Sequence, residues 1–326
     1  MAETAPQPRL RVVPSTPVKR RIPFGRILTG VALVMTVAVA ATFAAAWFAG
    51  PRAGDIAGQV RQRLQVHHAK PVQLAGIAPV MRQAVVATED ERFYRHHGVD
   101  LVGVIRAVGY DASHLTLAQG ASTVTEQLVK LLYLHGNDAS VWRKLKDAAG
   151  ALRVESVYSK QEILQAYLNA VYYGHRAYGI GSAAERYFGV RAGRLNLAQA
   201  SLLAGLIQAP SAYDPFVHPQ AARQRQVSVL RSMVRNGFVA PAEGQEVLTA
   251  PLKLRGGKAL PPLRGIDLSP GPEFSGRLLW VAVAMVMLAV VLAVVGRRRK
   301  FRWWPAVFVV VLVAGLFVLA RSLQVL

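Results

Sequence analysis

The chain has no cysteine, and that absence removes disulfides, thiol nucleophiles and cysteine-type zinc sites together. It leaves the compartment open, because disulfide-free proteins occur on both sides of a membrane. Acids are scarce. There are 18 Asp plus Glu against 39 Lys plus Arg, a formal charge of +21 over 326 residues. Such an excess suits a polyanionic partner or an anionic surface. Strand signals are few, and there is no internal repeat or low-complexity tract. No H-E-x-x-H occurs, and the adjacent His96 and His97 cannot both face one point on a helix. A zinc site is therefore disfavoured. The Walker spacing G-x-x-x-x-G-K-[ST] is also absent.

What is plentiful is apolar surface. Hydrophobic residues make up 52% of the chain, which argues against a simple soluble nucleic-acid reader. Three runs read as membrane spans. Ile27 to Phe48 carries no charge and matches the roughly 20 apolar residues that cross a bilayer. Leu278 to Gly296 is a second, and Trp303 to Ala320 a third. The first run is too long for a signal-peptide core and shows no small-residue cleavage site, so an uncleaved anchor is expected. Lys19, Arg20, Arg21 and Arg26 before the first span, and Arg297 to Arg302 between the other two, place both flanks in the cytoplasm. The segment between spans one and two then faces outward. Much of the positive charge is membrane topology, and no nucleic-acid partner is expected.

The layout follows. Residues 1–24 are a basic cytoplasmic tail, 25–48 a membrane helix, 52–255 a folded outward unit, 256–276 a Gly/Pro-rich linker, and 277–296 and 303–320 two further membrane helices. The outward unit reads as mostly α. Apolar residues recur at helical spacing in Leu101–Tyr110, Val141–Tyr158, Lys160–Tyr173, Asn196–Ala209 and Pro219–Gly237. Ser159 to Glu162 is a capping-box pattern, and Asn196 can cap the next helix. "GASTVTEQ" fits a short strand or a loop entering a helix.

Three stretches carry chemistry. In "VATEDERFYRHHGVD", Glu89 ends an apolar helical run. A carboxylate at a helix C-terminus, beside apolar surface and another acid, has a raised pKa, as a general base requires. A solvated acid paired with Arg92 or Arg95 is the plainer reading. In "GASTVTEQLVK", Gly120 to Lys130, small hydroxylated residues and a lysine can present donors to an anion. In "WRKLKD", Arg143, Lys144 and Lys146 surround one turn ahead of Asp147. Arg143 and Asp147 can simply pair at i, i+4, or the turn can clamp a pyrophosphate. A base, a clamp and an adjacent bilayer together suit a lipid pyrophosphate.

These residues resemble the peptidoglycan glycosyltransferases, the domain shared by monofunctional transglycosylases and class A penicillin-binding proteins. The likeness runs from about Ala78 to Gly237 through five ordered motifs. Glu89, Asp90, Phe93, His96, Gly98 and Asp100 match the first, "GASTVTEQLVK" the second, and Arg143 and Lys144 the third. "ILQAYLNAVYYGHRAYGIGSAAERYFG", with Asn169 and Tyr178, is close to the fourth, and "LNLAQASLLAGLIQAPSAYDP" to the fifth. The resemblance implies a lysozyme-like α fold and lipid II as substrate. It implies Glu89 as the base and Asp147 as a second catalytic carboxylate. Ser122, Thr123, Glu126, Gln127, Lys130, Arg143, Lys144 and Lys146 become substrate contacts. Asp90, Phe93, His96, Gly98, Asn169 and Tyr178 become motif support. It further implies Mg2+ or Mn2+ assisting at the pyrophosphate, no organic cofactor, and a bacterial cytoplasmic membrane location with the domain on the outer face. Lipid II, nascent glycan and membrane lipids are the implied partners, with other cell-wall membrane proteins meeting the C-terminal helices.

Several positions depart from the family pattern. Asp147 replaces a glutamate and Glu126 a glutamine; Ala139 replaces an arginine, Gln165 a glutamate and Asp214 an asparagine. Neither S-x-x-K nor K-T-G follows, so no transpeptidase is expected. The thinned clamp and the extra spans leave a rival reading, a non-catalytic scaffold that binds lipid II or glycan. Glycan cleavage ranks last.

Overall fold

The structure is a computed structural model that describes residues 24–51, 54–104, 122–133 and 140–269. Ten helices are described: α1 (Phe24–Ala49), α2 (Ile56–Val66), α3 (Pro79–Glu89), α4 (Val124–Tyr133), α5 (Val141–Val157), α6 (Lys160–Ala170), α7 (Gly179–Phe188), α8 (Leu197–Leu206), α9 (Pro219–Arg235) and α10 (Pro241–Thr249). The strands described are two of two residues each, β1 (Leu252–Lys253) and β2 (Ala259–Leu260), paired antiparallel. The mostly α reading therefore holds.

The helix ends follow local chemistry. Ser159 and Glu162 form the expected reciprocal capping box at the start of α6, and Asn196 with Gln199 forms another at α8. Ser140 Oγ accepts the Arg143 N–H and starts α5. Proline opens α3, α9 and α10, where a missing N–H costs nothing. The expected helix through Tyr173 stops instead at Ala170. Val171 is extended, Tyr172 bridges to Tyr178, and Gly174 turns at φ +83°. β-branched and aromatic residues favour that extended stretch over another helical turn.

The core is one large cluster, with a smaller one where Leu202 and Ala222 meet Leu252, Leu254 and Leu260. α9 packs along α8 and α3, α4 lies between α5 and α6, and α2 rests on α6. α8 is buried almost all round, from Leu197 through Ala200 to Leu206, as an internal helix must be. Arg223 on α9 is fully buried yet satisfied. It donates to Gln226 Oε1 at 2.7 Å, Leu248 O at 2.7 Å, Pro261 O at 2.9 Å and Ala250 O at 3.0 Å. One guanidinium fork thus joins α9, α10 and the segment after β2.

That last segment differs from the expected linker. Over residues 256–269 it enters the fold, with Leu260 and Leu268 buried and the Leu263 N–H donating to Leu248 O. Gly256 and Gly257, at φ +87° and +84°, supply the turn between β1 and β2. Its Gly and Pro content marks turns rather than a free tether.

α1 falls where the first span was expected. Its side chains are described continuously from Leu33, and among the residues so described no helix is long and apolar enough to cross a membrane. Leu33, Val34, Met35, Val37 and Val39 are all exposed. The spans at 277–296 and 303–320, the tail at 1–23, Gly120, Ala121 and Ala139 lie outside the described residues.

Candidate active site

Glu89 is the last residue of α3, a helix whose Met81, Ala84, Val85 and Val86 are buried. Its Oε2 accepts a hydrogen bond from Gln127 Nε2 at 3.0 Å. Its Oε1 is buried and has no hydrogen-bond partner. Burial pushes the carboxyl pKa up, and the nearby Asp90 adds to this. The Gln127 hydrogen bond and the Arg225 charge oppose it. The helix C-terminus, with its partial negative charge, is the position that the sequence argument required.

Asp90 turns the chain out of α3. Its Oδ2 accepts the Val124 N–H at 3.0 Å, and His96 Nε2 lies 2.9 Å from its Oδ1. The first motif is thereby clipped to the first turn of α4, where a carboxylate meets the positive end of the helix dipole. Phe93 is fully buried, with Lys160 Nζ 4.4 Å from its ring centroid. Gly98 sits at φ +73°, and a Cβ there would lie 2.7 Å from Leu152 N and 2.9 Å from Ala151 C. The loop crosses α5 at this point, and a side chain does not fit. Asp100 pairs with Arg92 at 3.3 Å.

The second motif is a loop entering a helix. The Thr123 N–H donates to Glu126 Oε2 at 2.8 Å, and the Glu126 N–H donates to Thr123 Oγ1 at 3.1 Å. This is a capping box, and it gives the departure at position 126 a structural role. Thr123 Oγ1 also donates to Gly98 O at 2.6 Å. Both residues, expected at the substrate, also hold the N-terminus of α4. Burial pushes the Glu126 pKa up against the pull of Lys144 and the Thr123 N–H.

The third motif brings the expected cations together. Asp147 on α5 is buried, and its Oδ1 has no hydrogen-bond partner. Burial raises its pKa, while Arg143, Lys144, Lys130 and Lys146, in descending order of effect, pull it down. Four cations from two packed helices thus act on one carboxylate. Lys144 Nζ also donates to Ser122 Oγ and lies 3.9 Å from Glu126 Oε2. Lys130 and Lys144 are exposed, so their charges face solvent.

The fourth motif supplies scaffold. Asn169 Oδ1 accepts the Val72 N–H at 2.8 Å while its Nδ2 donates to Val72 O at 2.8 Å. Gln165, another departure, accepts the Leu74 N–H through Oε1 at 2.7 Å. Tyr178 stacks on His67 with ring centroids 3.4 Å apart. In the fifth motif Asp214 Oδ2 lies 3.5 Å from His175 Nδ1.

Tyr167 and Arg225 were missed by the sequence reading. Tyr167 sits on the buried face of α6, where nothing in the pattern separates it from an ordinary core aromatic. Its hydroxyl donates to Gln127 Oε1 at 2.7 Å. Arg225 lies on α9, far along the chain, and reaches the site only through packing. Among the described residues no three His, Asp or Glu side chains gather into a metal-binding group.

The chain is similar to known proteins over its folded part. A sequence model described as transglycosylase matches residues 56–234. A protein of Cupriavidus necator provisionally named a transglycosylase is 44% identical over 184 residues, which cover 56% of this chain and 79% of that protein. Penicillin-binding protein 1A of Aquifex aeolicus is 41% identical over 174 residues, 53% of this chain and 24% of its own. Penicillin-binding protein 1A of Escherichia coli is 38% identical over 196 residues, 60% of this chain and 22% of its own. The chain thus spans under a quarter of those two penicillin-binding proteins. The crystal structure of penicillin-binding protein 1A from Haemophilus influenzae aligns at 23% identity and a TM-score of 0.35, over 58% of this chain and 18% of its own. The chain belongs to the transglycosylase family, and by that membership it is a glycosyltransferase enzyme.

Proposed function

We propose that the protein polymerises lipid II into glycan strands at the outer face of a bacterial cytoplasmic membrane. The observation that carries this reading is Glu89: a buried carboxylate with one oxygen held and the other without a partner, inside a transglycosylase domain. A carboxyl with a raised pKa is suited to take a proton near neutral pH. Glu89 Oε1 accepts the proton of the acceptor 4-hydroxyl. The freed oxygen attacks the anomeric carbon of the donor, the bond to the lipid pyrophosphate breaks, and the anomeric centre inverts. The pyrophosphate leaves with the bonding electrons as an anion.

Lys130, Arg143, Lys144 and Lys146 stabilise that leaving group, with Asp147 holding them in place. Such charge stabilisation is worth most where water is excluded. The exposed apolar side chains of α1 support anchoring of the domain at the bilayer. The two C-terminal apolar runs tether the chain or dock it against another cell-wall membrane protein. The test is incubation of the purified full chain with lipid II, with and without Mg2+ or Mn2+. Polymer plus lipid pyrophosphate is the expected product. Bound but unconverted lipid II would favour a scaffold, and soluble muropeptides released from polymer would favour cleavage.

A further inference from the structure

The base is the last member of a three-residue chain that starts in the core. Tyr167 Oη donates to Gln127 Oε1 at 2.7 Å, and Gln127 Nε2 donates to Glu89 Oε2 at 3.0 Å. Tyr167 is completely buried between α4 and the end of α3. An amide bridging two groups in this way can sit in two orientations. With Nε2 toward Glu89, it donates to a carboxylate. With Oε1 toward Glu89, it needs a proton there and favours the neutral acid. The phenol decides between them. It offers a hydroxyl hydrogen, and that hydrogen needs an acceptor in a buried place. Burial holds the phenol neutral, far from ionising. Gln127 therefore turns its oxygen to Tyr167 and its N–H to Glu89.

We infer that Tyr167 is a positioning residue for the proposed base: through Gln127 it anchors Glu89 Oε2 as an acceptor and leaves Oε1 as the oxygen that takes the proton. This rests on the reading of Glu89 as base given above. The groups facing the carboxyl from the surrounding elements are Gln127 on α4, Arg225 on α9, Asp90 beside it, and the buried hydroxyls of Tyr167 and Tyr173. Of these, Tyr167 is the one that can turn the Gln127 amide, because its hydroxyl holds the far end. Removing that hydroxyl frees the amide to flip. The flipped form stabilises protonated Glu89 and leaves less base at neutral pH.

The experiment compares wild type with Tyr167→Phe in two readouts. The first is lipid II polymerisation against pH. The variant should lose about tenfold in kcat with KM little changed, and its acidic limb should move to higher pH. The second is a carboxyl-carbon NMR titration of Glu89 in the substrate-free full chain, which should also move up. Tyr167→Phe placed in a Gln127→Ala background should add nothing to either readout, since the connection is already cut. A folded Tyr167→Phe protein with an unmoved titration and pH limb would overturn the inference, as would full additivity with Gln127→Ala. If the phenylalanine variant does not fold, a fluorotyrosine at position 167 keeps the shape and donates more strongly. It should move the titration downward, and no movement overturns the inference. The NMR readout needs no turnover. A wild type that fails to polymerise lipid II therefore sinks the functional reading without deciding this one.

Discussion

Asp90 Oδ2 accepts the Val124 amide hydrogen at 3.0 Å, and that bond ties the end of the helix bearing Glu89 to the start of the helix bearing Gln127. Two motifs more than 30 residues apart are joined by one charged hydrogen bond to the backbone. His96 on the other side of Asp90 keeps the carboxylate from swinging away. The first two motifs thus form a single structural unit, and the chemistry of Glu89 depends on both.

Glu89 should oppose stability at neutral pH. Its carboxyl titrates near 4.5 when unperturbed and higher in the folded protein. The folded state therefore holds the proton more tightly than the unfolded chain does. The stabilisation this gives is full below the unfolded value and is lost as pH rises through the folded one. Glu89→Gln removes the buried charge. Its Tm should exceed that of wild type at neutral pH, and the gain should shrink below pH 4.5. A variant less stable than wild type at neutral pH would contradict the burial argument.

Glu126→Gln should be nearly silent. Glutamine serves the capping box as well as glutamate does, so a stability change within about 0.5 kcal/mol is expected. Glu126→Ala removes the cap and should cost about 1 kcal/mol in urea denaturation. If the glutamine variant loses activity while staying folded, the carboxyl has a part in binding beyond the cap.

Much of this was legible in the sequence, and the reasons for the rest are specific. Amphipathic spacing and capping residues located α5, α6, α8 and α9, because those signals are local. Glu89 stood out because an acid ending an apolar helix is anomalous by itself. The cap at Glu126 was legible but overlooked: T-x-x-E is a cap pattern, here embedded in a stretch that resembles a binding motif. Tyr167 and Arg225 could not be found, since a buried tyrosine and a surface-spaced arginine gain meaning only when α6 and α9 pack near α3. The stretch after Arg255 misled because Gly and Pro mark tight turns as readily as free linkers.

Gly98→Ala should destabilise the protein by about 2 kcal/mol or more. The φ of +73° disfavours a side chain, and the new Cβ meets the backbone of α5 at Leu152 and Ala151. Because that helix carries Asp147, activity should fall together with the melting temperature. A thermal melt unchanged from wild type would show that the loop can leave α5 freely.

Asp147 should tolerate lengthening better than neutralisation. Its carboxylate sits among Arg143, Lys144, Lys130 and Lys146, so Asp147→Asn leaves four cations without their shared partner. Polymerisation should drop about tenfold or more. Asp147→Glu keeps the charge and restores the usual reach, and should retain or exceed wild-type activity. The reverse ranking of the two variants would remove Asp147 from the clamp.

The most direct measurement is lipid II polymerisation by wild type and Glu89→Gln, side by side at neutral pH, with circular dichroism on both. Loss of a positioned general base typically costs about 10²- to 10⁴-fold. The account predicts glycan polymer and lipid pyrophosphate from wild type, and a folded Glu89→Gln protein reduced by at least that lower bound. Undiminished polymerisation by the folded variant would contradict it.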